Sequence, residues 1–333
     1  MKKKIAWFIF LVVTSFLLFG CATKIAVPML QPANYHEASL IKTVAVMPFS
    51  GPGGNEFSFE IETLINGINV GDKPYFTLVD RDQIRKVISE MKFGASGMVD
   101  HKTAVRLGKM IQAKGIYTGM VSVNKTKDEY YREDRSACQD KKCKYQRKWT
   151  VSCTKRIANF SAAAKLINVE TGRVAYSQNL SGMNQSTGCE DTESPIDSDI
   201  LLANARNQAL ENFRNDIAPY YTTNMIRLFE TTDNIDISEA KDKLKNGLNW
   251  ARNKRFDMAC SFWKEAHKIA PDSPALLYNL GVCYESEAKY KTASELYRKA
   301  ERVLGEPNED ITLAISRIDL ALINQQKLKA QLK

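Results

Sequence analysis

The C-terminal part of the chain repeats itself. At an offset of 34 residues Gly247 pairs with Gly281, Trp250 with Tyr284, Phe256 with Tyr290, Ala259 with Ala293, Trp263 with Tyr297 and Ala266 with Ala300. A period of this length is one supersecondary unit stacked on the next, so six coincidences of residue type leave this region little freedom in its fold. Small glycine and alanine let paired helices approach, and the large aromatics fill the space between successive units. Pro271 stops the second helix of the first unit, and Pro307 follows the second unit at nearly the same place.

The period and its residue types identify residues 240–273 and 274–307 as two tetratricopeptide repeats. Residues 308–332 carry Ile311, Ile315, Ile318 and Leu322 on one face and supply a closing helix, so the repeat domain spans residues 240–333. Such arrays hold peptides or helices on a concave surface. Trp250, Phe256, Trp263, Tyr284, Tyr290 and Tyr297 are therefore the candidate protein-binding residues. The alternative is docking on a neighbouring domain, or self-association into a homo-oligomer.

The N-terminus reads as an address. Lys2, Lys3 and Lys4 precede an apolar run from Ile5 to Phe19 that ends in Leu18, Phe19, Gly20 and Cys21. The run falls short of the about 20 residues a spanning helix needs. Leu18 to Cys21 resembles the bacterial lipobox, which implies that residues 1–20 are a removed signal and that Cys21 carries a lipid, palmitate included. Ala22, not an aspartate, then follows the lipidated cysteine, which implies the periplasmic face of the outer membrane. Residues 21–41, with Pro28 and Pro32, are expected to be a tether.

Residues 42–217 alternate in type. Thr43 to Phe49 is a β-branched run, followed by a loop of Ser50, Gly51, Pro52, Gly53 and Gly54 and a helix with Phe57, Ile61, Leu64 and Ile65 on one face. The loop lacks the G-K-[ST] ending of a phosphate cradle. Phe76 to Val79 is a second strand, Ile84 and Val87 begin a second helix, Ala104, Leu107 and Ile111 mark a third, and Gly115 to Val123 is a third strand. Ala158 to Val169 and Val174 to Leu180 form two more around a tight turn, and Ile200 to Ile217 closes the unit as a helix. That order predicts an α/β sandwich followed by an all-α helical-repeat domain, joined by a linker over 218–239.

Val44-Ala45-Val46-Met47-Pro48-Phe49, Phe76-Thr77-Leu78-Val79-Asp80-Arg81, Gly115-Ile116-Tyr117-Thr118-Gly119 and Leu166-Ile167-Asn168-Val169-Glu170-Thr171-Gly172-Arg173-Val174 arrive in an order that resembles the curli secretion lipoproteins, the CsgG family. The resemblance implies this family's α/β domain and a lipoprotein. It also implies a ring-forming outer-membrane export pore, whose barrel strands would come from the insertions at 124–156 and 183–199. A barrel strand needs about ten residues of alternation with an apolar band facing lipid. The first insertion instead holds eleven Lys and Arg against five Asp and Glu, and the second is short and acidic. The soluble relatives, which activate cell-wall synthases, fit better than the pore.

The whole chain carries a formal charge of +9, and it is 44% hydrophobic and 26% charged, which is ordinary globular composition. The basic insertion is either a solvated loop or a partner-binding patch, and an export signal argues against nucleic acid. The three histidines, His36, His101 and His267, are dispersed and form no catalytic or metal-ligand grouping in the sequence. No enzyme, cofactor or metal is expected. Cys138, Cys143, Cys153 and Cys189 have the number for zinc but not the spacing of a zinc ribbon, and an exported chain favours disulfides. With Thr171 and Gly172 as a two-residue turn, Glu170 faces Arg173, and the register carried outward places Cys153 opposite Cys189 to within one residue. Cys138 and Cys143 are then left to close the tip of the insertion. Cys260 and Cys283 are either buried small hydrophobes or a further bridge. The expected function is that of an envelope adaptor binding other proteins.

Overall fold

The computed structural model describes residues 22–90 and 101–333, in two compact units: Pro32–Tyr220 with Lys329–Lys333, and Tyr221–Leu328 together with the described residues that precede Pro32. Cys21 and the signal lie outside the described residues.

The first unit is an α/β sandwich. Its strands β2 (Thr43–Val46), β5 (Thr77–Leu78), β6 (Gly115–Cys138), β7 (Gln146–Asn168) and β8 (Val174–Cys189) lie in the order β5-β2-β6-β7-β8. The two pairings of β2 are parallel and the others antiparallel, because helices intervene between the first three strands and short loops join the last three. Period-2 alternation divides the core into two. Val44 and Val46 point to one side with Tyr117, Phe160 and Ala162, and pack against α2 (Gly54–Gly67) and α5 (Ser198–Ile217) through Phe57, Ile61, Leu201 and Phe213. Ala45 and Met47 point to the other, and with Ile116 and Ile167 meet Ile84 of α3 (Arg81–Glu90) and Leu107 of α4 (His101–Met110). A short helix α1 (His36–Leu40) and a two-stranded ribbon of β3 (Asn69–Val70) and β4 (Lys73–Pro74) complete the unit.

The insertion at 124–156 is not a loop. β6 and β7 pair from Gly115↔Asn168 to Cys138↔Gln146 with one register shift between Val121 and Val123, and β8 runs beside β7 as far as Cys189. Beyond Val123 the hairpin continues for some 15 residues, about 50 Å of ribbon at about 3.3 Å per residue. The expected two-residue turn at Thr171 and Gly172 is also corrected. Asn168 donates its N–H to the Arg173 carbonyl (2.8 Å) while its side-chain oxygen accepts from the N–H groups of Glu170 and Thr171. These bonds hold residues 169–172 as a four-residue loop, with Gly172 at φ 67°. Glu170 therefore does not face Arg173. A register shift between Leu166 and Ile167 follows, and it brings Cys153 directly opposite Cys189.

The second unit is helical with one small sheet. Its helices are α6 (Ser238–Arg252), α7 (Phe256–Ile269), α8 (Pro274–Ser286), α9 (Tyr290–Leu304) and α10 (Glu309–Gln331), the last of which ends beyond the unit's boundary. Two expectations are corrected in this unit. The expected tether contains β1 (Lys24–Gln31), paired with β9 (Tyr220–Arg227), and the expected linker contains β9 itself. Ile25, Val27 and Met29 alternate into the helical core with Ile226, Leu228 and Ile235. Pro28 is exposed in this edge strand, where a missing N–H costs no ladder bond.

Candidate binding surfaces

Within the helical unit the paired positions of the 34-residue period do matching work. A Cβ on Gly247 would lie 2.2 Å from the indole nitrogen of Trp263, and one on Gly281 would lie 2.4 Å from the ring of Tyr297. The indole N–H donates to the Leu244 carbonyl (3.2 Å) and the Tyr297 hydroxyl donates to the buried Glu285 carboxylate (2.7 Å). Arg317 of α10 donates to the same carboxylate through Nε (2.6 Å) and Nη2 (2.9 Å), which ties the last helix to the second pair. Burial, reinforced by Glu285, raises the Tyr297 pKa well above the usual tyrosine value.

These contacts revise the list of candidate binding residues. Trp263, Tyr290 and Tyr297 are buried and pack within the helical unit. Trp250 is 36% exposed with the Arg255 guanidinium 5.9 Å from its ring. Phe256 is half-buried edge-on to Trp263, and half-buried Tyr284 has the ammonium groups of Lys264 (5.4 Å) and Lys289 (5.8 Å) near its ring. The surface that sequence reasoning missed is on α10. Leu313, Leu320 and Ile323, each more than half exposed, share one helix face, while Ile311, Ala314 and Ile318 pack inward. Reading only the inward spacing hid a second apolar line in the same helix.

The six described cysteines form three bridges: Cys138–Cys143, Cys153–Cys189 and Cys260–Cys283. The third joins α7 to α8, with Cα atoms 5.8 Å apart. Glu133, Cys153 and Cys189 cluster within 4.8 Å, but the two sulfurs are bonded to each other and offer no thiolate. Three disulfides fit a protein of the periplasm or envelope, where oxidising conditions preserve them. Among the described residues no helix is long and apolar enough to cross a membrane.

In the α/β unit the glycine loop is spent on packing. Ser50 donates to the Gly119 carbonyl and accepts from the Val121 N–H, and a Cβ on Gly51 would lie 2.0 Å from the Val121 carbonyl oxygen. A cleft of about 450 Å³ at the opposite end of the sheet is lined by Glu37, Lys114, Asn168, Glu170, Thr171 and Arg173 among others. Along the arm several charges pair with one another. Arg156 grips Asp128 with two bonds of 2.8 Å, Arg135 reaches Glu133 (2.9 Å) and Asp191 (3.3 Å), and Lys127 reaches Glu129 (3.0 Å).

No family model matches the chain, and no curated protein matches it. Among solved structures, the chain is similar to the LpoB C-terminal domain from Salmonella enterica, at 12% identity and a TM-score of 0.25 over 42% of this chain and 82% of that one. A hypothetical protein from Chlamydia trachomatis has 13% identity and a TM-score of 0.23 over 43% and 71%. The PelC dodecamer from Paraburkholderia phytofirmans has 12% identity and a TM-score of 0.27 over 59% and 98%. Likeness at this level carries no argument about this chain.

Proposed function

We propose that the protein is an adaptor of the bacterial envelope, tethered by a lipid on Cys21 at the periplasmic face of the outer membrane, that binds other proteins and catalyses nothing. In this reading the two helix pairs are tetratricopeptide repeats and the α/β unit is CsgG-like. The observation that carries it is the apolar line of Leu313, Leu320 and Ile323 on α10. Single apolar side chains at a surface are ordinary, but a line of them along one helix face, on a helix already packed by its other face, suits a partner's apolar surface. A photo-crosslinking residue at Leu320 should give discrete protein adducts in intact envelopes, and Leu313→Glu with Ile323→Glu should remove them. Absence of protein adducts at this face would defeat the proposal.

The rival reading, a ring-forming export pore, draws on the three-stranded arm. Against it, β8 carries Asn184, Gln185, Ser186 and Thr187 in succession and the β6–β7 ribbon carries charge on both faces, so no apolar band faces outward. Discrete channel conductance from the purified chain in planar bilayers would favour the pore.

A further inference from the structure

The arm's ion pairs and its densest run of unpaired cations lie apart. Its shaft holds the ion pairs described above. Past the Arg135↔Trp149 pair the ribbon is β6 and β7 alone, and there Lys141, Lys142, Lys144, Arg147 and Lys148 are all exposed and none forms an ion pair. The only acidic residue of this tip, Asp140, is turned to the backbone: its carboxylate accepts from the Lys144 N–H (2.7 Å) and its carbonyl from the Cys143 N–H (3.1 Å). The Cys138–Cys143 bridge closes the turn over these bonds, with Cys143 at φ 51°, so the loop that carries three of the lysines is held in one shape.

We infer that this tip docks end-on to an anionic phospholipid surface. Adjacent strand residues point to opposite faces, so Arg147 and Lys148 leave the ribbon on opposite sides while the three lysines crown the turn. A partner lying against one face of the ribbon would meet only part of this charge. A flat anionic surface met by the end of the ribbon meets all of it. Tyr145, 70% exposed, and Trp149, with the Arg147 guanidinium 5.8 Å from its ring, interleave with the cations. Tyrosine and tryptophan of this kind settle at the headgroup level of bilayers, and each nearby lysine or arginine adds attraction to anionic lipid.

The test uses the full mature chain with Cys21→Ser, so that no acyl chain inserts into the vesicles. It should sediment with phosphatidylethanolamine vesicles containing phosphatidylglycerol and not with phosphatidylcholine vesicles, and salt should release it. Lys141→Ser with Lys142→Ser should weaken this binding about thirtyfold. The double Lys→Arg variant should retain it. An intact Cys138–Cys143 bridge in non-reducing peptide maps of all of these variants shows that the tip is intact. Equal sedimentation of the serine variant and its parent would overturn the inference. So would capture of the parent by immobilised polyglutamate but not by the anionic vesicles, since that would point to an acidic protein.

Discussion

At the scale of single residues, the helical unit depends on two absent side chains. Gly247 and Gly281 stand where the rings of Trp263 and Tyr297 come closest, and both rings are anchored at their polar atoms by Leu244 and Glu285. An alanine at either position must displace a fully buried ring held by its own hydrogen bond. Overpacking of this kind costs about 1–3 kcal/mol. Gly247→Ala and Gly281→Ala should each lower the unfolding free energy by that amount, read as a lower urea midpoint with an unchanged slope. Because the sites lie in separate helix pairs, the double variant should show nearly additive losses. Neither substitution touches Leu313, Leu320 or Ile323, so any binding lost at temperatures where the fold persists would implicate helix position rather than contact.

At the scale of elements, the Cys153–Cys189 bridge fastens the last residue of β8 to the middle strand of the arm. Closing a loop of about 35 residues contributes on the order of 3 to 4 kcal/mol in the loop-entropy account. Replacing both cysteines by serine should therefore free the end of β8 and open the arm to protease between residues 183 and 197, while Cys138→Ser with Cys143→Ser should affect only the tip. Limited proteolysis followed by peptide mapping distinguishes the two, and equal cleavage of both variants would count against the assignment. Much of this layout was legible in the sequence: strand-helix order, the helix pairs, and Cys153 near Cys189 all follow from periodicity and turn position. What escaped did so for physical reasons. Pro28 disguised β1 because a proline in a strand normally argues for a loop, and only an edge position removes the objection. The charges of residues 124–156 disguised the arm because strand propensity is weak beside solvation, whereas a continuous ladder on both sides of β7 decides the matter. Asn168 shifted the hairpin register through a side-chain bond that no hydrophobic pattern reports. The exposed face of α10 was visible as Leu313 and Leu320 at heptad spacing, but the inward line masked it.

At the scale of the whole molecule, the expected anchor ties the lipobox to the chain's location. Replacing Cys21 by serine should abolish metabolic labelling with palmitate and release the chain from the envelope or leave the precursor unprocessed. Unchanged labelling would remove the lipoprotein assignment and leave the disulfides as the evidence for an oxidising compartment. Those disulfides have a property that belongs to the chain as a whole. The six cysteines that follow Cys21 allow fifteen pairings, and the three bridges found, Cys138–Cys143, Cys153–Cys189 and Cys260–Cys283, each join a cysteine to the next one along the chain. A polypeptide that emerges N-terminus first thus presents its thiols to an oxidase in the order in which they must be joined. Strictly sequential oxidation gives the native set directly, so loss of a disulfide isomerase should leave all three bridges intact in a non-reducing peptide map.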